Sequence, residues 1–361
     1  MRELFMDKKD LDKAIEKTVL KMAIEPNNTE NYHELAKYYA MASEYEKVIS
    51  VYESLLQIDS KDIQALLNIG SIWFYAKEYK KAIKYFNEAM VVNPSNYLVY
   101  YNLGNTYAEL KNFSKALYYY SRTLDFNSND PEIYNAIALL YHDYEDYVEA
   151  RAYYEKSLSL DPLNVTALID LGNVCYKLYD YEKALDYYHR VFDLAPENKT
   201  VALCIANTLA ISKQKEACYE YFEKALKLDG NNYKTYICYA IAKSDLKDNE
   251  DAIELYKKAI EIEPNEANAY ILLGNLYSNL KKYKEAEEQY REALKINKLD
   301  PSLYVLIANT YYMNNEVERS IYSYRAAVNL RPENDEYKLV FIQVLEDYIN
   351  DVRKEDVVAN I

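Results

Sequence analysis

The chain has 361 residues, of which 28% are charged, and a formal net charge of -15. A single hydrophobic core stops growing at roughly 250–300 residues, so the chain is either multidomain or repetitive. Its 5 Gly and 8 Pro are too few for the many turns of a β-sandwich or barrel, or for the glycine-rich loops of a nucleotide fold. We therefore predict an all-α protein.

The charge balance also limits the classes of partner. The chain has 58 acidic residues against 43 Lys and Arg, which disfavours a nucleic-acid partner. Charged residues interrupt the N-terminus before a signal-peptide core can form, and no apolar run reaches the ~18 residues of a membrane-spanning helix. We expect a cytoplasmic protein without membrane insertion, whose four dispersed cysteines stay reduced.

An internal repeat organises the sequence. Six prolines are separated by multiples of 34 residues: Pro26, Pro94, Pro162, Pro196, Pro264 and Pro332. A 34-residue frame then gives nine complete repeats over 29–334, which begin at Thr29, Ile63, Tyr97, Pro131, Val165, Lys199, Tyr233, Ala267 and Pro301. We number the positions of each repeat from these residues. The flanking segments are predicted as a partial repeat, 1–28, and a capping helix with a short tail, 335–361.

Each repeat is predicted to be a helical hairpin. Apolar residues recur at helical spacing at positions 4, 7, 8 and 11, and again at 20, 24, 27 and 28, with a polar break near 14–17. Position 8 is Gly or Ala, and position 24 is aromatic, in all nine repeats. We expect the two helices to approach closely, with a ring of one filling the notch left by a small residue of the other.

The predicted elements vary along the chain. Residues 12–24 fit the second helix of a truncated repeat, and the nine hairpins follow. Over 199–250 the pattern weakens: Gly230 replaces the terminal proline, and Lys243 takes an apolar position. Since solenoid stability is roughly a sum over repeats and their interfaces, we predict that this segment is the softest. Residues 335–351 are predicted as the capping helix and 353–361 as a frayed end.

The motif Leu103-Gly104-Asn105 with Tyr107, Ala116, Tyr120 and a final proline resembles the tetratricopeptide repeat. The resemblance covers about 85% of the chain. It implies a right-handed superhelix (an α-solenoid) of antiparallel helix pairs, in which the first helices line a concave groove. It also implies that positions 2, 5, 9, 12 and 13 of the first helix contact ligand, and it names no particular partner.

Catalytic and metal-binding motifs are missing from the sequence. His33, His142 and His189 lie in three different repeats and outside any metal-ligand spacing, and there is no phosphate-binding glycine loop or nucleophile motif. We expect a protein that is not an enzyme and has no cofactor and no metal site.

Asparagines recur on the predicted groove face. A side-chain amide both donates and accepts, so a column of amides can hold the backbone of an extended peptide without dictating its sequence. The alternative is that Asn serves only local solubility there. The column consists of Asn105, Asn173, Asn207, Asn275 and Asn309 at position 9, extended by Asn68 and Asn102 at position 6.

Apolar side chains form a second candidate set on this face. They suit a docking strip with aromatic anchors, although packing between adjacent first helices explains them as well. Position 5 holds Leu67, Tyr101, Ile169, Leu203, Ile237, Ile271 and Val305, and position 12 holds Phe74, Tyr176 and Tyr312.

Two finer resemblances narrow the function. The chaperone-tail carboxylate clamp needs a basic residue at position 5, and no repeat has Lys or Arg there. The asparagine column resembles that of the glycosyltransferase that modifies Ser and Thr, but the transferase half is absent. We predict a non-enzymatic scaffold that binds a protein or extended peptide in its groove. The alternative is a structural module that self-associates through its ends or its convex face.

Overall fold

The computed structural model describes residues 7–359, with side chains described for 7–350. Over this range the chain forms twenty helices and no strand, which confirms the predicted all-α repeat fold. The chain divides into two compact units, residues 1–180 and 181–361, described separately below. The division falls between the two helices of the repeat that begins at Val165. No helix over this range is both long and apolar enough to cross a bilayer.

The helices alternate between first and second helices of consecutive repeats. The first unit contains α1 Lys8–Ile24, α2 Thr29–Met41, α3 Tyr45–Ile58, α4 Ile63–Tyr75, α5 Tyr79–Val92, α6 Tyr97–Glu109, α7 Phe113–Phe126, α8 Pro131–Asp143, α9 Tyr147–Leu160 and α10 Val165–Lys177. The second unit contains α11 Tyr181–Leu194, α12 Lys199–Ile211, α13 Lys215–Leu228, α14 Tyr233–Asp245, α15 Asn249–Ile262, α16 Ala267–Asn279, α17 Tyr283–Ile296, α18 Pro301–Met313, α19 Val317–Leu330 and α20 Asp335–Ala359.

Local backbone chemistry fixes where the first helices begin and end. Asn or Asp precedes eight of the nine and caps the helix with its side chain, as Asp62 does by accepting from the Ala65 N–H at 2.8 Å. Position 15 has positive φ in all nine repeats, although no Gly occupies it. The next N–H then bonds back across the helix end, as from Glu78 to the Trp73 carbonyl at 2.9 Å.

The core of each hairpin is a ring set into a notch, as predicted. A Cβ added at Gly70, Gly104 or Gly274 would lie 2.4, 2.5 or 2.6 Å from the ring at position 24 of the same repeat. The ring atoms belong to Phe86, Tyr120 and Tyr290, and each of these side chains is at most 3% exposed. The helices therefore pack closely enough that position 8 limits side-chain volume.

The C-terminal helix is longer than the sequence pattern predicted. α20 continues to Ala359, past the expected end near residue 351, because no Gly or Pro interrupts 351–359. Its position 8 is Ile342, which is 49% exposed. A branched side chain there leaves no notch of the kind that receives the position 24 ring in the nine hairpins.

The segment predicted to be softest has distinctive packing. α13 and α14 are the second helix of one repeat and the first helix of the next. They contact each other less extensively than the other such pairs of the second unit. Lys243 is buried there, 2.7 Å from an Asp251 carboxylate oxygen and 3.8 Å from the centre of the Tyr219 ring. Cys175 and Cys218 are buried, as predicted for core positions.

Candidate functional site

The predicted groove residues occupy first helices and are mostly half-buried. Asn309 and Tyr312 are exposed, and the Tyr312 hydroxyl donates to Asp347 on α20 at 2.9 Å. Ile237 is only 7% exposed and packs in a core cluster of α14 to α16, so it offers little surface to a ligand. The half-buried members are Leu67, Asn68, Phe74, Tyr101, Asn102, Asn105, Ile169, Asn173, Tyr176, Leu203, Asn207, Ile271, Asn275 and Val305.

Three predicted residues meet in one cavity of the first unit. Phe74, Tyr101 and Asn105 line a cavity of about 390 Å³ that we call the α6–α10 cavity. Its walls come from α4, α6, α8 and α10, and the rings of Tyr120 and Tyr154 lie at its base, contributed by α7 and α9. Most of the remaining wall consists of side chains at positions 2, 5, 9, 12 and 13, the face that the repeat pattern assigns to ligand.

A second, more apolar cavity of about 1130 Å³ lies between α2 and α4, and Asn68 lines it. His33 also lines this cavity, and its Nε2 lies 2.8 Å from Asp62 Oδ2. The His33 ring packs at a tilt against Tyr52, with 5.6 Å between ring centres. Both contacts hold the imidazole within the fold, which supports a packing role for this histidine.

The position 9 asparagines have a structural partner that the sequence pattern did not suggest. Asn105 Oδ1 accepts from the Tyr120 hydroxyl at 2.8 Å, and Asn275 Oδ1 accepts from Tyr290 at 2.7 Å. Asn309 accepts from the Tyr at position 24 of its own repeat in the same way. Burial raises the pKa of Tyr290 to about 12, consistent with a phenol that stays protonated and donates.

Other repeats satisfy the same ring by different means. Tyr52 accepts from Asn68 Nδ2 at 2.9 Å, and Tyr154 donates to the carboxylate of Asp170, so position 6 of the following repeat serves there. Where the ring is Phe222 there is no hydroxyl, and Asn207 instead hydrogen-bonds to the thiol of Cys238. A buried Tyr needs a partner for its hydroxyl, and in these repeats one is supplied from position 6 or 9. Tyr256 is the exception, because Ile241 occupies position 9 of its repeat and Leu272 occupies position 6 of the next.

The hydrogen bonds leave part of each amide available. Where Asn accepts through Oδ1, its Nδ2 group still has two donors, so such a residue offers donors to a ligand. Asn105 also hydrogen-bonds to the hydroxyl of Tyr101, which uses one more of its groups. The asparagine column therefore combines packing with a reduced capacity for ligand contact.

The α6–α10 cavity is acidic. Four carboxylates, Glu109, Glu132, Asp143 and Asp170, line it with one base, Lys111, whose Nζ lies 3.2 Å from Asp143. Burial raises the pKa of Asp170, opposed by His142 and by the Tyr154 hydrogen bond. No Lys or Arg among residues 7–350 forms an ion pair with Asp170.

A neutral acceptor in the same wall lacks a partner. Asn135 Oδ1 is buried and accepts no hydrogen bond within the described residues. Asn135 lies at position 5 of α8 and lines the α6–α10 cavity. A buried acceptor without a donor costs about 1–3 kcal/mol. This oxygen has almost no solvent-accessible surface, so a ligand donor reaches it only after the Asn135 side chain turns toward the cavity.

The sequence interpretation missed these residues for a definable reason. Glu132 lies at position 2, Asn135 at position 5, and Glu109 and Asp143 at position 13, all on the face assigned to ligand. Only Asn and apolar residues on that face were candidates from the sequence, so the acidic residues were missed. Summing charge over these positions in consecutive repeats could have found them. Asp170, at position 6, lies outside those positions.

Comparisons with known families agree with the geometry. Models described as tetratricopeptide repeat match residues 63–130, 131–198, 205–232, 232–298 and 271–335. The chain belongs to the tetratricopeptide repeat family. Tetratricopeptide repeats generally build non-catalytic scaffolds for protein–protein interaction, and the fold of this chain is of that kind. Among residues with described positions, no group of three or more His, Cys, Asp or Glu is placed to hold a metal ion.

Comparison with solved structures found similar chains. The C-terminal part of a TPR repeat-containing protein from Cytophaga hutchinsonii is 17% identical, with a TM-score of 0.52, over 66% of this chain and 97% of that one. YrrB, described as a TPR protein with an unusual peptide-binding site, is 24% identical with a TM-score of 0.45, over 51% of this chain and 95% of its own. PilF of Pseudomonas aeruginosa is 16% identical with a TM-score of 0.48, over 58% and 96%. No curated protein matches the chain.

Proposed function

We propose that this tetratricopeptide repeat protein is a non-enzymatic scaffold that binds an extended peptide segment of a protein partner along the groove face of its first helices. The observation that carries the proposal is the α6–α10 cavity, whose wall is built largely from the side chains that the repeat pattern turns toward ligand. In the first unit we assign the main contact to this cavity.

The chemistry of the cavity suits a peptide better than a compact metabolite. Its wall spans four successive first helices and combines polar groups with apolar ones, such as Leu139, which is 51% exposed. An extended chain presents amides and side chains at regular spacing, and the remaining amide donors of Asn residues can meet its carbonyls. Half-exposed rings such as Phe74 and Tyr101 add the aromatic contacts that dominate many interfaces.

A pair of matched variants tests the site. The full chain is used to select binders from a random-sequence displayed peptide library, and the selected peptides are then measured against two variants. Leu139→Trp places a bulky ring in the α6–α10 cavity, whereas Ala152→Trp adds the same ring to an exposed position of α9 outside it. Far-ultraviolet circular dichroism confirms that both variants are folded.

The proposal expects selected peptides to lose at least about tenfold in affinity on Leu139→Trp and to bind Ala152→Trp as they bind the unmodified chain. Two results contradict it. One is a selection that enriches no peptide. The other is a set of peptides that binds both variants equally, which would place their contact away from this cavity.

A further inference from the structure

The negative charge of the α6–α10 cavity favours peptides with a cationic group over other peptides. This inference rests on the proposed function. Of its charged lining side chains four are acidic and one is basic, and the single Lys111 is already close to Asp143. Glu132 and Asp170 have no Lys or Arg partner among the described residues, so their charges act on whatever enters the cavity. An anionic peptide end is therefore repelled, and a cationic group is attracted.

The neutral acceptor makes the same demand for a donor. Asn135 lies on α8, and its Oδ1 is buried without a hydrogen-bond partner among the described residues. Asp170 is a half-buried carboxylate on the neighbouring first helix, α10. Burial raises the pKa of Asp170 more than His142 and Tyr154 lower it, as expected for a desolvated carboxylate. A ligand with a positive charge and several N–H donors can pair with the carboxylate and also donate to the amide oxygen.

The apolar part of the wall adds a requirement of shape. Leu139, Ala136 and Phe74 line the same cavity as the carboxylates, together with the ring of Tyr101. A long side chain with an aliphatic stem and a charged end contacts both kinds of surface at once. A small inorganic cation uses neither the stem surface nor the rings, and no described group of acids has the placement of a metal site.

We propose that the α6–α10 cavity is a specificity pocket for an arginine side chain of the bound peptide. Arginine fits better than lysine because its guanidinium presents five donors in a plane, and the acceptors here lie on two different helices. The plane also stacks on aromatic rings, and Phe74 and Tyr101 line the same cavity. Lysine concentrates its charge at one point and satisfies fewer of these acceptors.

The test compares arginine with citrulline, which keeps the shape and removes the charge. Acetyl-arginine methylamide and acetyl-citrulline methylamide are titrated into the full chain, and binding is followed by nuclear magnetic resonance. The same exchange of Arg for citrulline or Lys is made in the library-selected peptides. Asp170→Asn and Glu132→Gln remove charge from the cavity at constant size, and Glu149→Gln is the control because Glu149 is exposed on α9 outside the cavity.

The expected result is that citrulline weakens binding at least about tenfold, the effect of losing charge-assisted hydrogen bonds, with Lys intermediate. The double variant Asp170→Asn with Glu132→Gln should weaken the arginine form alone, and Glu149→Gln should change nothing. Equal binding of arginine and citrulline forms overturns the arginine pocket, as does an arginine effect that survives the double variant.

The two proposals fail separately. Peptides that lose affinity on Leu139→Trp but bind equally with citrulline support the groove and overturn the arginine pocket. Conversely, acetyl-arginine methylamide that binds at the carboxylates, with no library peptide sensitive to Leu139→Trp, supports the pocket and overturns peptide binding along the groove.

Discussion

Two regions of the molecule share the same repeat pattern but differ in the chemistry of their first helices. One contains the first helices α6, α8 and α10, and the other contains α12 and α14. In the former, Tyr120 and Tyr154 bond to Asn105 and Asp170 beside an acidic cavity. In the latter the ring is Phe222, and Asn207 bonds to Cys238 on the next first helix. Position 6 is Cys in both α12 and α14, so that stretch carries no charge where α10 carries Asp170.

The difference indicates that the ring at position 24 determines which hydrogen bonds the neighbouring polar side chains form. In the repeats of Tyr52, Tyr120 and Tyr290 the hydroxyl of that ring bonds to an Asn at position 6 or 9, and this Asn then contributes to the groove face. Without the hydroxyl, the same Asn turns to an adjacent helix. Packing inside the hairpin and chemistry on the groove are therefore linked through these residues.

The largest expected effect comes from filling the notch of the first region. Gly104→Val puts a branched side chain where even a Cβ would lie 2.5 Å from the Tyr120 ring. We expect a loss of about 3 kcal/mol in the free energy of unfolding, measured by urea unfolding followed by circular dichroism. Gly230→Ala in the second region is the control, since its Cβ would meet only a backbone oxygen at 3.5 Å and should shift stability by less than about 1 kcal/mol.

The next effect separates the two uses of asparagine. Asn105→Ala leaves the buried Tyr120 hydroxyl without its acceptor and should cost about 1–3 kcal/mol. Asn207→Ala removes only an amide donor to the sulfur of Cys238, a weak acceptor, and should cost less. Adding Tyr120→Phe to Asn105→Ala should recover stability. Equal losses for the two alanine variants in urea unfolding, or no recovery, would break the comparison.

A smaller effect concerns local opening. We expect backbone amides over 199–245 to exchange with deuterium at least about tenfold faster than those over 97–177, because the α13–α14 contact is the weaker one. Mass spectrometry of peptides from each stretch measures this difference. Equal protection would show that Lys243 and its ion pairs compensate for the reduced packing.

The smallest effect tests the shared turn chemistry. Lys213 has φ 58° and an exposed side chain, so it bears the cost of a left-handed conformation that Gly does not. Lys213→Gly should raise the free energy of unfolding by about 0.5 kcal/mol. Glu223→Gly, at an exposed position in the middle of α13, is the control and should lower it by about 1 kcal/mol. A destabilised Lys213→Gly chain would mean that the lysine makes a favourable contact.

The sequence predicted the helices well because their signals are local and repeated nine times. The 34-residue frame predicts that helices begin at Ile63 and Tyr97. The pairing of Gly104 at position 8 with Tyr120 at position 24 predicts the notch. The hydrogen bonds of the asparagine column could not be predicted the same way, because periodicity shows which face a residue shares but not which hydroxyl reaches it. The acidic cavity was likewise hidden, since it collects charge from three helices of separate repeats.

The account depends most on peptide contact at the groove face of the first helices. A library-selected peptide carrying a photoreactive benzoylphenylalanine is cross-linked to the full chain, and the attachment sites are mapped by mass spectrometry. We predict attachment within α6, α8 and α10, at residues that line the α6–α10 cavity, such as Leu139. Attachment concentrated on exposed residues of α7 and α9, such as Tyr118 or Ala152, would contradict the account.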